Sequence, residues 1–453
     1  MPTRLHLNAF IYDIGHHESA WRLPESDPFA TVSVDHYVHA ARVAEAGAFD
    51  SIFFADGPAL QGDARYRPVG VLEPLTLLGA LAMTTEQIGL ISTASTSFSE
   101  PYDLARRFAS LDHISGGRVG WNIVTTPGDE AARNFGRDGQ AMHRDRYERA
   151  DEFLEVVTKL WDSWEDDARI GDKETGRFAD AERIHSIDHA GRFFQVKGPL
   201  NVPRCPQGYP LLVQAGSSDS GRAFAGRWAE AVFTAQRTLP EGQAFYADLK
   251  RQAVAAGRRP EDIVILPGIV PALGSTEAEG RAREQEFEDH IIPAYGLAQL
   301  SRFFGVDLTD AELDGPLPEV PVEDEIEGHK SRSTLVANLA HRENLTVRQL
   351  IGRLGGGRGH RTFAGTPEQL SDDLQLWFTE GAADGFNIMP PAIPGDLELF
   401  VDHVLPILRA RGLFRGEYEG TTLREHYGLA RPANQFATDP ATDPAPAADL
   451  VNV

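Results

Sequence analysis

The sequence predicts an α/β fold, a TIM-type (β/α)8 barrel with insertions, and three observations favour it. Short apolar runs alternate with helical segments, and no run of consecutive hairpins is predicted, which is typical of a parallel sheet under helices. About eight such units occur, which favours a closed barrel over an open doubly wound sheet. Several predicted strands end in small polar residues. In such a barrel the active site lies at the carboxyl ends of the strands.

Four strand-and-helix units are predicted in the first part of the chain. The first helix is supported by Val34, Val38, Ala41 and Ala44 at helical spacing, with Gly47 as a stop signal. The four strands are predicted at 5–12, 51–55, 88–92 and 118–124. The four helices are predicted at 34–46, 74–84, 102–114 and 144–164.

The rest of the chain continues this alternation, with strands predicted at 211–215, 231–234, 263–270 and 384–389 and helices at 218–228, 241–256, 276–288, 367–380 and 397–411. Insertions are predicted at about 165–209 and 293–360. The second is too long for a structureless loop, so we expect a partly helical lid over the barrel mouth. Residues 1–430 are predicted to form one domain, and residues 431–453, rich in proline and alanine, a disordered tail.

The composition excludes several classes of protein. Lysine and arginine total 43 against 67 acidic residues, a net charge of -24 that opposes binding to nucleic acid or anionic membranes. The only cysteine, Cys205, cannot form an intrachain disulfide or a cysteine-based zinc site. Apolar runs of the roughly 20 residues needed to span a bilayer are missing. We therefore expect a soluble, cytoplasmic protein.

The predicted strand ends favour a polar cofactor over chemistry by the protein's own side chains. They contain no cluster of histidines and carboxylates for a metal, no lysine suited to a Schiff base and no serine in an elbow motif. Hydroxyl groups, an amide and backbone groups dominate instead, and these suit a cofactor that brings its own reactivity. The strand ends are 10–12, 55–57, 92–95, 122–126, 214–218, 234–237 and 389–391.

The segment GSSDSGR, residues 216–222, follows a predicted strand and opens a helix. Its small residues allow close approach of a ligand, and the hydroxyls of Ser217 and Ser218 with the first helical N–H groups suit a phosphate. An ordinary helix cap, in which Ser218 or Asp219 satisfies backbone N–H groups, explains the same residues. The local sequence leaves both interpretations open.

Four further residues with ionisable rings have two interpretations each. His143 and Tyr147 are four residues apart at the start of a helix, so they share a face and can meet the same phosphate or ribityl chain. A helix-start histidine and a core tyrosine are the alternative. His16 and His17 follow the first strand, where they are either catalytic or ordinary loop histidines.

Asp56 ends the second strand before a glycine. Its carboxylate can accept hydrogen bonds from a ribityl chain or a flavin ring N–H, or it can simply form an Asx turn. The phenylalanines Phe10, Phe53 and Phe233 lie at or near strand ends, where residue type alone does not distinguish core from pocket wall.

Several long motifs together resemble one enzyme family. The chain is similar to the bacterial-luciferase-like flavin monooxygenases, in the group that contains nitrilotriacetate, EDTA and dibenzothiophene-sulfone monooxygenases and the pristinamycin IIA synthase subunit. The resemblance extends over about residues 5–429. It rests on FASLDHISGGRVGWNIVTT, ARNFG, HRDRYERADEF, KLWDSW, PQGYPLLVQAGSSDSGR, GTPEQL, GAADGFNI and YEGTTLREH.

The resemblance implies a mechanism and a set of partners. Members are barrels with insertions that take reduced FMN from a separate NAD(P)H:FMN reductase and activate O2 as a flavin C4a-(hydro)peroxide. They add one oxygen atom to a small organic substrate, with cleavage of a C–N or C–S bond or oxidation of a ring. Homodimers or homotetramers are usual.

The resemblance also implies roles for individual residues. Those expected near the flavin ring are Phe10, Phe53, Phe233 and His16 or His17. Those expected to bind the cofactor are Asp56 and Thr93 at the flavin or ribityl chain, His143, Tyr147 and Ser218 at the phosphate, and Ser217 and Asn122 as further contacts.

The sequence departs from the family at one point, and three other functions remain open. Sulfone-cleaving and pristinamycin-type relatives carry a histidine near residues 301–305, where this chain has Phe303 and Phe304, which disfavours a sulfone substrate and indicates a more apolar pocket wall. The alternatives are a deazaflavin-dependent hydride-transfer oxidoreductase, a non-catalytic flavin-binding protein and a metal-dependent barrel hydrolase.

Overall fold

A closed ring of parallel strands forms the centre of the computed structural model, which describes residues 4–60, 63–126, 128–216, 218–320, 330–357 and 359–437. In chain order the strands are β1 (His6–Ile11), β2 (Ser51–Phe54), β3 (Gly89–Ser95), β4 (Val119–Val124), β5 (Arg169–Asp172), β6 (Arg177–Ala179), β7 (His189–Ala190), β8 (Gln195–Val196), β9 (Leu211–Ala215), β10 (Ala231–Thr234), β11 (Val264–Leu273), β12 (Arg361–Gly365) and β13 (Gly385–Ile388).

Eight of these strands close on each other in the order β1-β2-β3-β4-β9-β10-β11-β13, and β13 pairs back with β1. All of these pairings are parallel, and Phe10 of β1 pairs with Phe53 of β2. The predicted (β/α)8 barrel is confirmed.

Most of the helices connect the barrel strands and cover the outside of the ring. They are α1 (Val34–Ala46), α2 (Pro74–Ala82), α3 (Pro101–Ser115), α4 (Asp129–Asn134), α5 (His143–Asp162), α6 (Asp219–Trp228), α7 (Leu239–Ala255), α8 (Glu277–Asp289), α9 (Pro293–Phe304), α10 (Lys330–Glu343), α11 (Val347–Gly357), α12 (Pro367–Thr379), α13 (Gly395–Leu399), α14 (Leu405–Ala410) and α15 (Leu423–His426). A π-helical turn, Phe400–Val404, joins α13 to α14. Within the described ranges, no helix combines the length and the apolar character needed to cross a membrane.

Some elements differ from the sequence-based prediction. Two antiparallel pairs, β5–β6 and β7–β8, lie between α5 and β9, in the segment predicted only as an insertion. Strand β12 was also missed; it pairs with the upper half of β11, which continues to Leu273 rather than ending at residue 270. These strands are short and mostly half-buried or exposed, so they lack the continuous apolar run by which the barrel strands were recognised.

The amino end of the barrel is closed by the short helix α15. Leu423 belongs to the apolar cluster inside the ring; a Cβ at Gly89 would overlap it, and a Cβ at Gly120 would be only 3.2 Å from it. A glycine at each position therefore lets α15 approach the strands closely. The carboxyl end is left for a functional site.

Helices α9, α10 and α11 form a small apolar core of their own, which includes Leu300, Phe304, Val336, Leu350 and Ile351. Helix α11 also approaches the loop after β1, because a Cβ at Gly356 would be 3.3 Å from His17 Cδ2. These helices consequently lie beside the carboxyl ends of β1 and β11, in the region predicted to be a lid.

The predicted tail has an ordered beginning. Arg431 forms an ion pair with Asp166, at 2.5 Å, and Asn434 donates to the carbonyl oxygen of Asp162, at 2.8 Å. Residues 431–437 are thus held against the barrel, and residues 438–453 lie outside the described part of the chain.

Candidate active site

A hydrogen-bonded pair lies inside the barrel near the carboxyl ends of β3 and β4. Asn122 shares the inward face of β4 with Gly120, because alternate residues of a strand point to the same side. Its Nδ2 donates to Thr93 Oγ1 at 2.8 Å, and Thr93 Oγ1 donates to the carbonyl oxygen of Phe54 at 2.9 Å. These two bonds fix both side chains.

The acceptor oxygen of this pair is left unsatisfied. Asn122 is 3% exposed, yet its Oδ1 has no hydrogen bond partner in the part of the chain that the structure describes. A buried amide oxygen without a partner is costly, so a ligand donor at this position would be favourable. The ring N–H of a flavin or a ribityl hydroxyl is a donor of this kind, and the residues present therefore fit the group that the family uses.

The floor of the same space is aromatic. The rings of Phe10 and Phe53 are 4.4 Å apart, and those of Phe53 and Phe233 are 4.7 Å apart. Phe53 and Phe233 are buried in the cluster inside the ring, and Phe10 packs against it half-buried. Phe10 consequently presents its ring towards the open end.

A polar layer lies below these rings. Ser51 Oγ donates to Asn8 Oδ1 at 2.6 Å and contacts the hydroxyl of Tyr427 at 2.9 Å, and Asn8 Nδ2 donates to Asn387 Oδ1. These groups satisfy each other, so this layer is part of the barrel core rather than of a binding site.

The structure separates the two adjacent histidines. The ring of His16 lies 4.4 Å from that of Phe10, and its Nε2 is 3.1 Å from the Phe10 carbonyl oxygen. His17 instead packs on Phe287 of α8, and its Nδ1 accepts from the Ser19 backbone N–H at 3.3 Å and lies 2.9 Å from the Ser19 hydroxyl oxygen. Of the two, His16 is the one beside the aromatic floor.

Asp56 follows β2 and is half-buried. Burial raises the pKa of its carboxyl, the Gly57 N–H lowers it, and the charge of Glu73 raises it. Within the described ranges no hydrogen bond joins Asp56 to Thr93 or Asn122. Its assignment to the flavin or ribityl chain stays a prediction.

A second group of predicted residues meets at the start of α6. Ser218 is the N-cap of that helix, and its Oγ accepts from the Gly221 N–H at 3.1 Å. The Tyr147 hydroxyl is hydrogen-bonded to Ser218 and Thr125; burial raises the pKa of this phenol, and those two bonds lower it. The ring of His143 is 4.9 Å from that of Tyr147.

Both interpretations of Ser218 agree with this geometry. Its oxygen caps the helix as an acceptor, which leaves the hydroxyl proton available for a phosphate oxygen or for Tyr147. Ser217, which was predicted to contribute a second hydroxyl, lies outside the described residues.

Two residues near this group were not assigned a role from the sequence. The charge of Arg146 lies close enough to act, with burial, in lowering the pKa of His143, so a cation is present beside the three predicted phosphate contacts. Gln214 lies beneath the loop, where a Cβ on Gly216 would overlap its Nε2. The sequence did not indicate a role for Arg146, because arginines on helix surfaces usually face solvent.

A third missed residue lies on the opposite side of the ring. A Cβ on Gly268 of β11 would overlap Nδ1 of His360 and would be 2.7 Å from Sδ of Met389. Gly268 pairs with the inward-facing Asn387, so the imidazole of His360 occupies the carboxyl end of the barrel above β11. The only sign of this arrangement in the sequence was a glycine, Gly268, within an apolar strand.

Phe303 and Phe304 do not both line a pocket. Phe304 is fully buried in the core shared by α9, α10 and α11, and Phe303 packs against the same core, with its ring 5.5 Å from that of Phe304. The expectation of a more apolar pocket wall is therefore wrong for Phe304, because the helix turns that side chain into its own core.

A cavity of about 680 Å³ opens at the amino end of the barrel, away from these groups. Two ion pairs lie within its lining, Lys250 with Asp384 at 2.9 Å and Arg4 with Glu419. The residues that suit a cofactor thus lie at the carboxyl end.

The chain is similar to known proteins over most of its length. Residues 12–384 match the family model for luciferase-like monooxygenases. The chain is 48% identical over 435 residues to N-acetyl-S-(2-succino)cysteine monooxygenase of Bacillus subtilis (strain 168), covering 96% of this chain and 98% of that protein. It is 49% identical over 443 residues to nitrilotriacetate monooxygenase component A of Aminobacter aminovorans, covering 94% and 97%.

A solved structure of riboflavin lyase with modified FMN and substrate riboflavin is similar to 94% of this chain and to 96% of its own, with 33% identity and a TM-score of 0.82. The family model and the relatives span nearly the whole chain, and they agree with the resemblance drawn from its motifs. The chain belongs to the luciferase-like monooxygenase family.

Proposed function

We propose that this chain is the oxygenase component of a two-component monooxygenase, which binds reduced FMN and uses O2 to oxygenate a small organic substrate. The observation that carries the proposal is the unsatisfied Oδ1 of Asn122, held in place by Thr93 above an aromatic floor. A flat, apolar ring with a polar N–H edge matches this combination of surfaces.

The chain's own residues would bind and orient the cofactor. Tyr147, Ser218 and His143 would hold its phosphate, with Arg146 supplying positive charge. Asn122 and Thr93 would accept from the ring or the ribityl chain, and Phe10 would contact the ring face. Asp56 and Ser217 stand as further cofactor contacts, and His16 as a group beside the ring.

Bound reduced FMN would supply the electrons that activate O2, which is chemistry that the protein's side chains cannot provide. The remaining task of the protein is to exclude water and to hold the substrate in position. Helices α9, α10 and α11, which pack beside the carboxyl ends of β1 and β11, would perform that task as a lid.

A separate NAD(P)H:FMN reductase would be the partner. The name of the relative from Aminobacter aminovorans, a component A, supports a division of labour of this kind. We also propose that the oxygenation cleaves a C–N or C–S bond, and this part of the proposal rests on the same group of relatives.

The test is oxygen uptake by the purified chain with a flavin reductase, FMN and NADH, followed by mass spectrometry of products from labelled O2. Candidate substrates are aminopolycarboxylates, thioethers, sulfones and heterocycles. The proposal requires one labelled oxygen atom in a product, and it requires FMN. Turnover under anaerobic conditions with a deazaflavin, and no label in any product, would favour the hydride-transfer alternative.

A further inference from the structure

Arg237 is a half-buried cation at the carboxyl end of the barrel. It follows β10, and its backbone N–H donates to Glu241 Oε2 at 3.1 Å. Across the described ranges, its guanidinium makes no ion pair and no side-chain hydrogen bond. Arg67, also at this end of the barrel, is ion-paired with Asp13 and lies 5.6 Å above the ring of Tyr12.

Among the described residues, the charged groups around Arg237 leave an excess of positive charge. Burial lowers the pKa of its guanidinium, and the charges that act on it most strongly are those of Glu343, Arg342, Arg353 and Glu241. Within this part of the chain, three guanidinium groups thus face two carboxylates.

Both carboxylates already have partners. Glu343 is 3.4 Å from Arg342 and 3.9 Å from Arg353, and Glu241 accepts from the backbone N–H groups of residues 237 and 238. A partly desolvated cation without a dedicated partner lowers the stability of the fold, and proteins retain such groups where they meet an anion.

Arg237 follows a different strand from the residues proposed to hold the cofactor phosphate. Tyr147 and Ser218 meet at the loop after β9, whereas Arg237 follows the neighbouring strand β10. Its charged neighbours include residues of α10 and α11, and His360 lies over Gly268 of the next strand, β11. This side of the mouth is bounded by the lid helices.

We propose that Arg237 anchors a carboxylate group of the substrate, and that the substrate is therefore a small organic acid. The inference rests on the proposed monooxygenase function, which supplies the reason for a substrate at this end of the barrel. A guanidinium can bind a carboxylate through two parallel hydrogen bonds, which gives orientation as well as affinity. His360 would lie against the opposite side of the same molecule.

The test is calorimetric titration of the FMN-loaded protein with tricarballylate and, for comparison, with its neutral trimethyl ester. We expect the wild type to bind the acid and to prefer it over the ester. Arg237→Gln should weaken binding of the acid about tenfold or more, the size expected when a charge-assisted hydrogen bond is lost. Arg237→Lys should restore part of the affinity, because charge remains without the planar fork.

Arg251→Gln is the matched control, because Arg251 is an exposed arginine on α7 paired with Asp248. This variant should bind the acid and the ester with the same affinities as the wild type. Equal affinity of the wild type for acid and ester, or unchanged acid binding by Arg237→Gln, would overturn the inference. Loss of FMN affinity in Arg237→Gln would overturn it as well, by assigning Arg237 to the cofactor phosphate.

FMN binding by the wild type is measured separately, by quenching of flavin fluorescence. Its absence would refute the proposed function, while the acid and ester titrations of the protein without FMN would still show whether Arg237 binds a carboxylate. The two failures are therefore distinguishable.

Discussion

The Thr93 and Asn122 pair is the residue-scale feature on which the cofactor proposal depends. Replacing Asn122 with Leu keeps the size of the side chain and removes the unsatisfied acceptor. We expect FMN to bind about tenfold more weakly, since a ligand hydrogen bond is lost. Fluorescence titration measures this, with Asn134→Leu, a change at an exposed asparagine, as the control. Equal FMN affinity in wild type and Asn122→Leu would remove Asn122 from the site.

Ser218 and Tyr147 give a second prediction, which separates a phosphate site from a helix cap. Ser218→Asp retains a capping acceptor but places a negative charge where the phosphate would lie. We expect this variant, combined with Tyr147→Phe, to lose FMN affinity and to keep its affinity for riboflavin, which has no phosphate. A parallel loss for both flavins would indicate local unfolding of the start of α6.

Residues of the candidate site were predictable from the sequence where their position in a strand or helix itself suggests a role. Thr93 and Asn122 lie near the carboxyl ends of strands and Ser218 precedes a helix, and such positions can be read from local patterns. Arg146, His360 and the unpaired state of Arg237 were not predictable in this way. Their surroundings are made by segments distant in sequence, such as α10 and α11 around Arg237.

At the scale of elements, the small core of α9, α10 and α11 gives a third prediction. Phe304 is fully buried there, and truncating a buried phenylalanine to alanine costs about 3–5 kcal/mol in a typical core. Phe304→Ala should therefore raise hydrogen exchange in α9 and α11 while leaving the barrel strands protected. Arg302→Ala, at an exposed position of the same helix, is the control.

If these helices exclude water, Phe304→Ala should also increase the share of consumed O2 that is released as H2O2. Faster exchange in α9 and α11 with no change in H2O2 would mean that the helices are not a lid. This measurement links the packing of one element to the proposed reaction.

Elements were predictable where one apolar pattern sufficed. Helix α1 matches its predicted bounds, and β9 and β10 match theirs. Strand β12 was not found, because its pairing with β11 depends on tertiary contact and its own residues are half-buried. The antiparallel pairs of the first insertion were missed for the same reason.

At the scale of the whole molecule, stability should depend on the ionisation of buried carboxyls. Burial raises the pKa of Asp112 to about 6, and within the described part of the chain its Oδ2 has no hydrogen bond partner. The pKa of this carboxyl is higher in the folded state than the value of about 3.9 expected in the unfolded state. Its favourable contribution to the stability of the fold is therefore fully present below about pH 3.9 and is lost as pH rises through about 6.

Asp112→Asn removes this ionisation. The Tm of the variant relative to that of the wild type should therefore increase between about pH 4.5 and about pH 7.5. Measuring both proteins in the same buffers cancels the contributions of other groups. A constant difference in Tm across this range would show that Asp112 does not titrate as described.

The overall architecture was the most predictable level. Alternation of strands and helices repeats around the ring, so errors at single boundaries do not change the fold. The closed barrel was predicted from the number of units alone, and the structure supplies the pairing that closes it, which joins β13 to β1 from opposite ends of the chain. Closure places the strand ends from both halves of the chain around one mouth.

The central claim is that this mouth binds reduced FMN and controls its reaction with O2. The most direct measurement is rapid mixing of the protein, carrying one equivalent of reduced FMN, with oxygenated buffer, while the return of oxidised-flavin absorbance is followed. We predict a much slower return than for free reduced FMN, and a return close to the free rate for the Ser218→Asp and Tyr147→Phe double variant. Reoxidation at the free rate by the wild-type protein would contradict the account.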